Sequence, residues 1–216
     1  MVRYVWGVDS STNVTPELLS CVENNYGRPV FWARYLTTVP NASEGLTTEE
    51  INFLRGENIK ILPIYNDFRE AVGYRQGAVA SANATFHAAR LGFPRGTYIF
   101  ANVERFFNVD PAWIRGWVES MYNSGYKVGI YNDPVEGDFD EAFCQAAREN
   151  NQVQIQSVLW SAEPEIGTTS PNQAPSFNPE TPNCESNVWL WQYGRDSEAC
   201  PIDTNLADDR ILPSLW

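Results

Sequence analysis

The 216-residue sequence has few of the residues on which several common chemistries depend. It contains a single histidine, His87, which lies in an alanine-rich stretch with helical character. Its four cysteines are widely spaced and show no C-x-x-C pattern. These counts argue against a zinc site and against thioredoxin-like redox chemistry. We therefore expect no metal and no cofactor, and any catalysis would have to use carboxylates.

Basic residues and long apolar runs are also scarce. Lysine and arginine number 15 against 27 aspartate and glutamate, which gives a formal net charge of −12. Neutralising phosphates requires clustered basic side chains, so nucleic acid is excluded as a partner. No stretch of about 18 apolar residues occurs, so we expect no insertion into a membrane.

Strand-like and helix-like stretches alternate along most of the chain. Predicted strands begin near residues 4, 30, 59, 97, 127, 155 and 188, at intervals of roughly thirty residues, as repeated β/α units do. Helix-start signals stand between them, such as Thr15-Pro16-Glu17 and the capping box Thr47-Thr48-Glu49-Glu50. Residues 164–186 are rich in proline, asparagine and serine and are predicted to form a long loop. The alternation predicts a parallel sheet.

A doubly wound sheet and a (β/α) barrel both fit this alternation. The glycine-rich patterns through which doubly wound sheets bind nucleotides are absent. In a (β/α) barrel the active site lies at the carboxyl ends of the strands. The smallest barrels of this kind contain about 200 residues, so the chain is long enough to form one. We therefore predict an α/β protein with a TIM-type (β/α) barrel, as a single domain over residues 1–216. Polar and aromatic residues close the predicted strands, as this fold requires: Asp9, Arg34-Tyr35, Tyr65-Asn66-Asp67, Asn102 with Glu104, Tyr131-Asn132-Asp133, Trp160-Ser161 and Gln192-Tyr193.

The stretch from Gly96 to Glu104 is the most informative of these strands. Side chains alternate along a strand, so Tyr98, Phe100, Asn102 and Glu104 share one face. A carboxylate is almost never fully buried without a partner, so this face must open onto polar groups, water or a ligand. The alternative is that Glu104 only marks the point at which the strand leaves the core.

Carboxylates at strand ends are suited to glycoside cleavage. That reaction needs an acid to protonate the leaving oxygen and a negative or nucleophilic group beneath the anomeric carbon. Glu104 can be the acid, with Tyr98 and Phe100 as its apolar setting, and Asp9 and Asp203 can supply the negative partner. The 8 tryptophans, 10 tyrosines and 11 phenylalanines would suit the apolar faces of sugars. An ion-pair network around Arg34 is the competing explanation for such charged strand ends.

Short motifs along the chain resemble a known family. They are Gly7-Val8-Asp9-Ser10, Asn102-Val103-Glu104, Ile130-Tyr131, Leu159-Trp160-Ser161-Ala162, Leu190-Trp191-Gln192-Tyr193 and Ile202-Asp203-Thr204-Asn205. Their order resembles that of Chalaropsis-type lysozymes (glycoside hydrolase family 25), whose sequences close with W-Q-Y and V-D-L-N. The chain looks closest to glycoside-hydrolase-like domains of unknown function related to them. The resemblance implies a barrel of five β/α units plus three strands lacking helices, which agrees with the missing helix before the last strand.

The resemblance also implies roles for individual residues. Glu104 takes the position of the general acid, and Asp9 and Asp203 match the other carboxylates of the rim. Tyr131, Trp191 and Gln192 resemble positions that contact sugar. Together with the strand ends, this defines the predicted site. The catalytic candidates are Glu104, Asp9, Asp203 and Asn102, and the substrate-binding candidates are Arg34, Tyr65, Asp67, Tyr131, Trp160, Trp191, Gln192 and Tyr193.

One position departs from the family pattern and keeps three functions open. The lysozymes carry D-x-E on the fourth strand, whereas this chain has Asn102 in place of the first acid. The first hypothesis is a hydrolase acting on peptidoglycan or a related N-acetylated amino-sugar polymer. The second is a catalytically silent carbohydrate-binding barrel, and the third is a structural barrel that uses residues 164–186 as its contact. We expect a monomer with a glycan partner, extracellular or bound to the cell wall, although no export signal is visible.

The cysteines are predicted to remain free. Cys21 and Cys144 lie on helices predicted on well-separated sides of a barrel. Cys184 and Cys200 flank the seventh strand, and a strand of about six residues spans some 20 Å. Bridged Cα atoms must lie within about 7 Å of each other, so only a folded-back loop could join this pair.

Overall fold

In the computed structural model, which describes residues 3–216, eight strands close into a barrel in chain order. The strands are Tyr4–Asp9 (β1), Phe31–Tyr35 (β2), Lys60–Tyr65 (β3), Tyr98–Asn102 (β4), Lys127–Asn132 (β5), Ser157–Ser161 (β6), Val188–Gly194 (β7) and Asp203–Asp208 (β8). The α-helices are Pro16–Asn25 (α1), Thr48–Gly56 (α2), Tyr74–Arg90 (α3), Pro111–Ser124 (α4), Phe139–Glu149 (α5) and Gln152–Gln156 (α6). Short 3-10 helices cover Pro171–Gln173 and Asp209–Ser214.

Strands β1 to β7 run parallel, and β8 is antiparallel to both β7 and β1. The predicted TIM-type barrel is confirmed. Five β/α units are followed by three strands, and the described residues contain no α-helix between β6, β7 and β8. A parallel crossover needs a dozen or more residues, whereas residues 195–202 join β7 to β8 directly. This short connection explains why the last strand runs antiparallel.

The predicted helix starts are formed by the side chains that the sequence indicates. Thr15 accepts a hydrogen bond from the Leu18 N–H, and Thr47 accepts one from the Glu50 N–H. One boundary differs from the prediction, because the sixth strand was expected to begin near residue 155, which instead belongs to α6. Asn150 begins this turn, since its Oδ1 accepts from the Gln152 N–H at 3.0 Å. The buried side chain of Val153 thus belongs to a helix, and β6 begins at Ser157.

Alternation along β4 separates two apolar layers. Tyr98 and Phe100 lie inside the barrel, while Ile99 and Ala101 pack outside it among the helices. Glycines on neighbouring strands make room for the interior rings. A Cβ atom at Gly129 would lie 2.5 Å from the Phe100 ring. The interior is therefore a filled core, and a cavity opens at its carboxyl end.

Two disulfides cross the outside of the barrel, so the prediction of four free cysteines was wrong. Cys21 is bonded to Cys200 with 6.1 Å between Cα atoms, and Cys144 is bonded to Cys184 with 5.6 Å. The two pairs considered from the sequence are indeed not the bonded ones. The error lay in the path of the loops: residues 195–202 pass beside α1, and the loop 164–186 returns over α5.

The loop 164–186 covers the outer face of β7. Phe177 stacks on Tyr4 with ring centroids 4.3 Å apart and meets the ring of Trp191 edge-on at 6.3 Å. The Asn183 N–H donates to Asp140 on α5 at 2.7 Å, next to the Cys144–Cys184 bond. This segment substitutes for the helices missing after β6. No helix in residues 3–216 combines the length and the apolar character that crossing a bilayer requires.

Replacing both Cys144 and Cys184 by serine should lower the free energy of unfolding by about 2–4 kcal/mol, because the open chain gains conformational entropy when unfolded. Chemical denaturation of the parent and the double variant measures the difference. Thiol titration of the denatured, unreduced parent should find no free cysteine. Detection of four thiols would contradict both bonds.

Candidate active site

A cavity of about 290 Å³ opens at the carboxyl end of the barrel. Four carboxylates and two arginines are among its lining residues, beside aromatic rings and amides. The lining residues are Asp9, Tyr35, Ile64, Asn102, Glu104, Arg105, Phe106, Tyr131, Asp133, Trp160, Ala162, Gln192, Arg195 and Asp203.

Two of the carboxylates, Asp9 and Asp203, face each other across β1 and β8. They are register partners in this antiparallel pair, and side chains opposite each other on one face of a sheet meet. Gln192 on β7 joins them, because its Nε2 donates to Asp9 Oδ2 at 3.0 Å and to Asp203 Oδ2 at 3.1 Å. Asn205 Nδ2 donates to the same Asp9 oxygen at 2.7 Å. The pair therefore sits in a dense set of amide donors.

The two amides are themselves held by aromatic side chains of β5 and β6. The Tyr131 hydroxyl donates to Gln192 Oε1 at 2.8 Å, and Trp160 Nε1 donates to Asn205 Oδ1 at 3.0 Å. The rings of Tyr131 and Trp160 meet edge-to-face at 5.2 Å. Each amide thus accepts on its oxygen and presents its N–H to a carboxylate, which fixes its orientation.

Burial and mutual repulsion keep protons on this pair. Burial raises the pKa of Asp203 to about 8, and the neighbouring Asp9 charge adds to the rise. Burial also raises the pKa of Asp9, against the lowering effect of the hydrogen bonds from Asn205 and Gln192. Two carboxylates that share a site cannot both ionise readily. Both shifts favour retention of a proton on the pair.

Glu104 lies just beyond β4, at the open side of the cavity. Its carboxyl group is partly exposed, and Asn102 Nδ2 donates to Glu104 Oε1 at 2.9 Å. Tyr98 and Phe100, expected to surround it, lie deeper in the barrel and do not line the cavity. The apolar group at the mouth is instead Phe106, whose side chain is 76% exposed.

The structure brings together seven of the predicted site residues in the cavity lining: Glu104, Asp9, Asp203, Asn102, Tyr131, Trp160 and Gln192. Arg34 lies elsewhere, buried behind β2. Its Nε donates to Glu50 at 2.6 Å and its Nη1 donates to the Ser10 carbonyl at 2.6 Å. The ion-pair network considered as an alternative therefore describes Arg34, which holds the loops after β1 and β2 in place.

Four other predicted residues also lie outside the cavity lining. Tyr65 stacks on Trp117 beneath the helices, and the exposed Asp67 lines a separate cavity. Trp191 Nε1 donates to the Pro164 carbonyl at 3.0 Å, and the Tyr193 hydroxyl accepts from Trp6 at 2.9 Å. Alternation accounts for the separation, because the neighbours Gln192 and Ile64 occupy the inward positions of β7 and β3.

Several lining residues were not selected from the sequence. Tyr35 and Asp133 stand at predicted strand ends, and strict alternation along β2 would have favoured Tyr35 over Arg34. Arg105, Phe106 and Arg195 lie in loops, where no periodic signal exists. No group of three or more histidine, cysteine, aspartate or glutamate side chains within residues 3–216 is arranged to hold a metal ion.

A closed (β/α) barrel with carboxylates at the carboxyl ends of its strands is an arrangement that suits a glycoside-hydrolase-like domain. The chain belongs to the family described as Rv2525c-like, glycoside hydrolase-like domain, whose model matches residues 30–205. No curated protein sequence matches the chain.

Solved structures agree with this assignment. An uncharacterized protein of B. stearothermophilus is 56% identical, with a TM-score of 0.97 over 98% of this chain and 100% of that one. The catalytic domain of an endolysin from a bacteriophage of Listeria monocytogenes is 18% identical, with a TM-score of 0.60 over 98% and 96%. A lysozyme of Streptomyces coelicolor is 13% identical, with a TM-score of 0.59 over 97% and 96%. The last two share the fold with this chain.

The raised pKa of Asp203 predicts a pH-dependent stability. The unfolded-state pKa of aspartate is about 3.9, so the protonated group stabilises the fold fully below that value. The contribution is lost as the pH rises to about 8. The parent should therefore lose stability relative to the Asp203→Asn variant between pH 4 and pH 8, by up to about 1.4 kcal/mol for each unit of the pKa rise. Urea denaturation across this range tests the trend, and a constant difference would contradict it.

Proposed function

We propose that the protein binds and hydrolyses glycans built from amino sugars, of the peptidoglycan type, with Glu104 as the general acid. The observation that carries this proposal is the position of Glu104, which lines the same cavity as the buried Asp9 and the half-buried Asp203. Glycoside cleavage uses two carboxyl groups in different surroundings, one as a proton donor and one as a negative partner.

Four of the lining residues have a role in this scheme. The Glu104 carboxyl group gives its proton to the glycosidic oxygen as the bond to the anomeric carbon breaks. Positive charge then develops on the sugar ring, and the Asp9 and Asp203 pair supplies the negative charge beneath it. A water molecule completes the reaction by adding hydroxide to the anomeric carbon and returning a proton to Glu104. Asn102 holds the Glu104 carboxyl in position through its 2.9 Å hydrogen bond.

The shape of the site supports a polymeric substrate. A second cavity of about 340 Å³ adjoins the first and shares Asp9, Tyr35 and Asp203 with it. It continues the groove towards Ser11 and Ser197. At the other end stands the exposed ring of Phe106, on which the apolar face of a sugar could lie. The groove extends to both sides of Asp9 and Asp203. Such a groove would accommodate a polysaccharide that is cleaved within its chain and not at its end.

The comparisons support the substrate class and the place of action. An endolysin and a lysozyme share the barrel, and another neighbour, an autolysin of Streptococcus pneumoniae, was solved with a synthetic peptidoglycan ligand. Disulfides such as Cys21–Cys200 form and persist in oxidising environments. We therefore place the protein outside the cell or at the cell wall.

Asn102 favours a second candidate, a carbohydrate-binding barrel without turnover. In the resembling lysozymes an acid stands at this position. The asparagine amide carries no charge, and its N–H is directed to Glu104. Such a site would still bind sugar through its amides and aromatic rings.

Glu104→Gln should abolish hydrolysis, because glutamine has no proton to give to the leaving oxygen. The melting temperature should stay within about 2 °C of the parent or rise, since a functional carboxylate is rarely optimal for stability. Release of reducing ends from purified peptidoglycan measures the activity. Glu141→Gln, an exposed position on α5, is the matched control and should keep full activity. Equal activity of Glu104→Gln and the parent would show that a residue other than Glu104 is the general acid.

Asn102→Asp should separate the two candidate functions. Two charges about 4 Å apart interact by about 4 kcal/mol at an effective dielectric constant near 20. An acid restored at position 102 should therefore increase hydrolysis of N-acetylated glycans about tenfold or more. The double variant Asn102→Asp with Glu104→Gln should show no gain. If Asn102→Asp gives no gain while the parent binds the fragments unhydrolysed, the binding barrel is preferred.

A further inference from the structure

Asp133 is a buried carboxylate of the cavity that the scheme above does not use. It follows β5, lines the cavity and is only 3% exposed. Its Oδ1 accepts the backbone N–H groups of Val135 and Glu136, both at 2.8 Å. Its Oδ2 is buried and has no hydrogen-bond partner in the protein. One carboxylate oxygen is thus held by the N–H groups of the loop, and the other has no hydrogen-bond donor.

An unsatisfied buried carboxylate oxygen is costly, because the lost hydration is not replaced. The surrounding loop does not provide a replacement, and it is packed tightly. Gly137 has a positive φ of 81°, and a Cβ there would lie 2.3 Å from the Arg105 carbonyl oxygen. The loop is therefore seated against the chain just beyond Glu104, with Asp133 between the loop and the cavity. Oδ2 is shielded from solvent in this structure, so a donor from a bound ligand would reach and satisfy it once the Asp133 side chain turns towards the cavity.

The charges around the cavity indicate what kind of donor fits. Both arginines of the lining are already paired with carboxylates outside it. Arg105 contacts Glu136 at 2.9 Å. Arg195 contacts Glu163 at 3.0 Å and Glu165 at 3.1 Å. The four lining carboxylates are therefore left without a dedicated cation among the described residues, and a cationic ligand complements them.

We propose that Asp133 binds the ammonium group of an amino sugar that lacks its N-acetyl group, so that the site prefers glycans with free amines at one unit. This inference rests on the proposed function, because it assumes that the cavity takes a glycan. A hydrogen bond between an ammonium group and a carboxylate is about twice as strong as one from a neutral donor. An acetamido group offers a single neutral N–H and adds a bulky acetyl, so it fits the buried oxygen less well. Asp133 then acts as a specificity residue.

Binding of two oligosaccharides of equal length tests the proposal. The probes are the glucosamine tetrasaccharide and the fully N-acetylated glucosamine tetrasaccharide, titrated calorimetrically into the full chain and its Glu104→Gln variant to prevent turnover. Asp133→Asn keeps the size of the side chain and an oxygen for the loop N–H groups, so it should fold, as a melting curve will show. Asp138→Asn is the matched control, because it removes one charge from an exposed position of the same loop.

The parent should bind the glucosamine tetrasaccharide more tightly than the N-acetylated one. Asp133→Asn should weaken binding of the glucosamine probe about tenfold or more, as expected for one charged hydrogen bond. It should leave the N-acetylated probe nearly unaffected, and Asp138→Asn should change neither. Tight binding of the N-acetylated probe with no effect of Asp133→Asn would overturn this inference and leave the proposed function intact. Binding of neither probe would overturn both.

Discussion

The hydrogen bonds from Gln192 to Asp9 and Asp203 are the contact on which the arrangement of the cavity depends. Two neighbouring carboxylates repel each other when both are ionised, and two unit charges 4 Å apart interact by about 4 kcal/mol at an effective dielectric constant near 20. Hydrogen bonds from the amide groups of Gln192 and Asn205, together with the raised pKa values of the pair, offset this repulsion. Those amides are in turn fixed by Tyr131 and Trp160. The strands β5, β6 and β7 thus orient the groups that stabilise charges carried by β1 and β8.

The antiparallel last strand is what makes this pairing possible. Because β8 follows β7 through the short segment 195–202, it enters the barrel from the carboxyl end and places Asp203 opposite Asp9. The same segment is bonded to α1 through Cys200 and Cys21, and its Asp196 N–H donates to Asp203 Oδ1 at 2.7 Å. The disulfide therefore restrains the backbone segment that holds the Asp203 carboxylate. Formation of the Cys21–Cys200 bond outside the barrel thus helps to fix the position of Asp203 inside it.

Strand order, barrel closure and the inward residues Asp9, Asn102 and Gln192 could be predicted from the sequence, because alternation and strand-end polarity are local signals. Alternation alone did not settle which face was inward. Barrel strands are apolar on both faces, so Trp191 and Tyr193 resemble inward residues as much as Gln192 does. Loop positions such as Arg195 carry no period at all. The disulfides depend on where long loops return, which is set by tertiary packing and not by spacing along the chain.

Under the proposed function, the pairing of the arginines would limit which sugars the cavity accepts. An acidic sugar would have to approach Asp9, Glu104, Asp133 and Asp203 without meeting a free guanidinium, because Arg105 and Arg195 already contact carboxylates. Burying an unpaired anion near these groups would add desolvation to repulsion. Neutral or cationic units do not meet this penalty, and they can donate hydrogen bonds to the oxygens that remain open. Under the proposed function, this charge arrangement would disfavour uronic and sialic acid units at the centre of the groove.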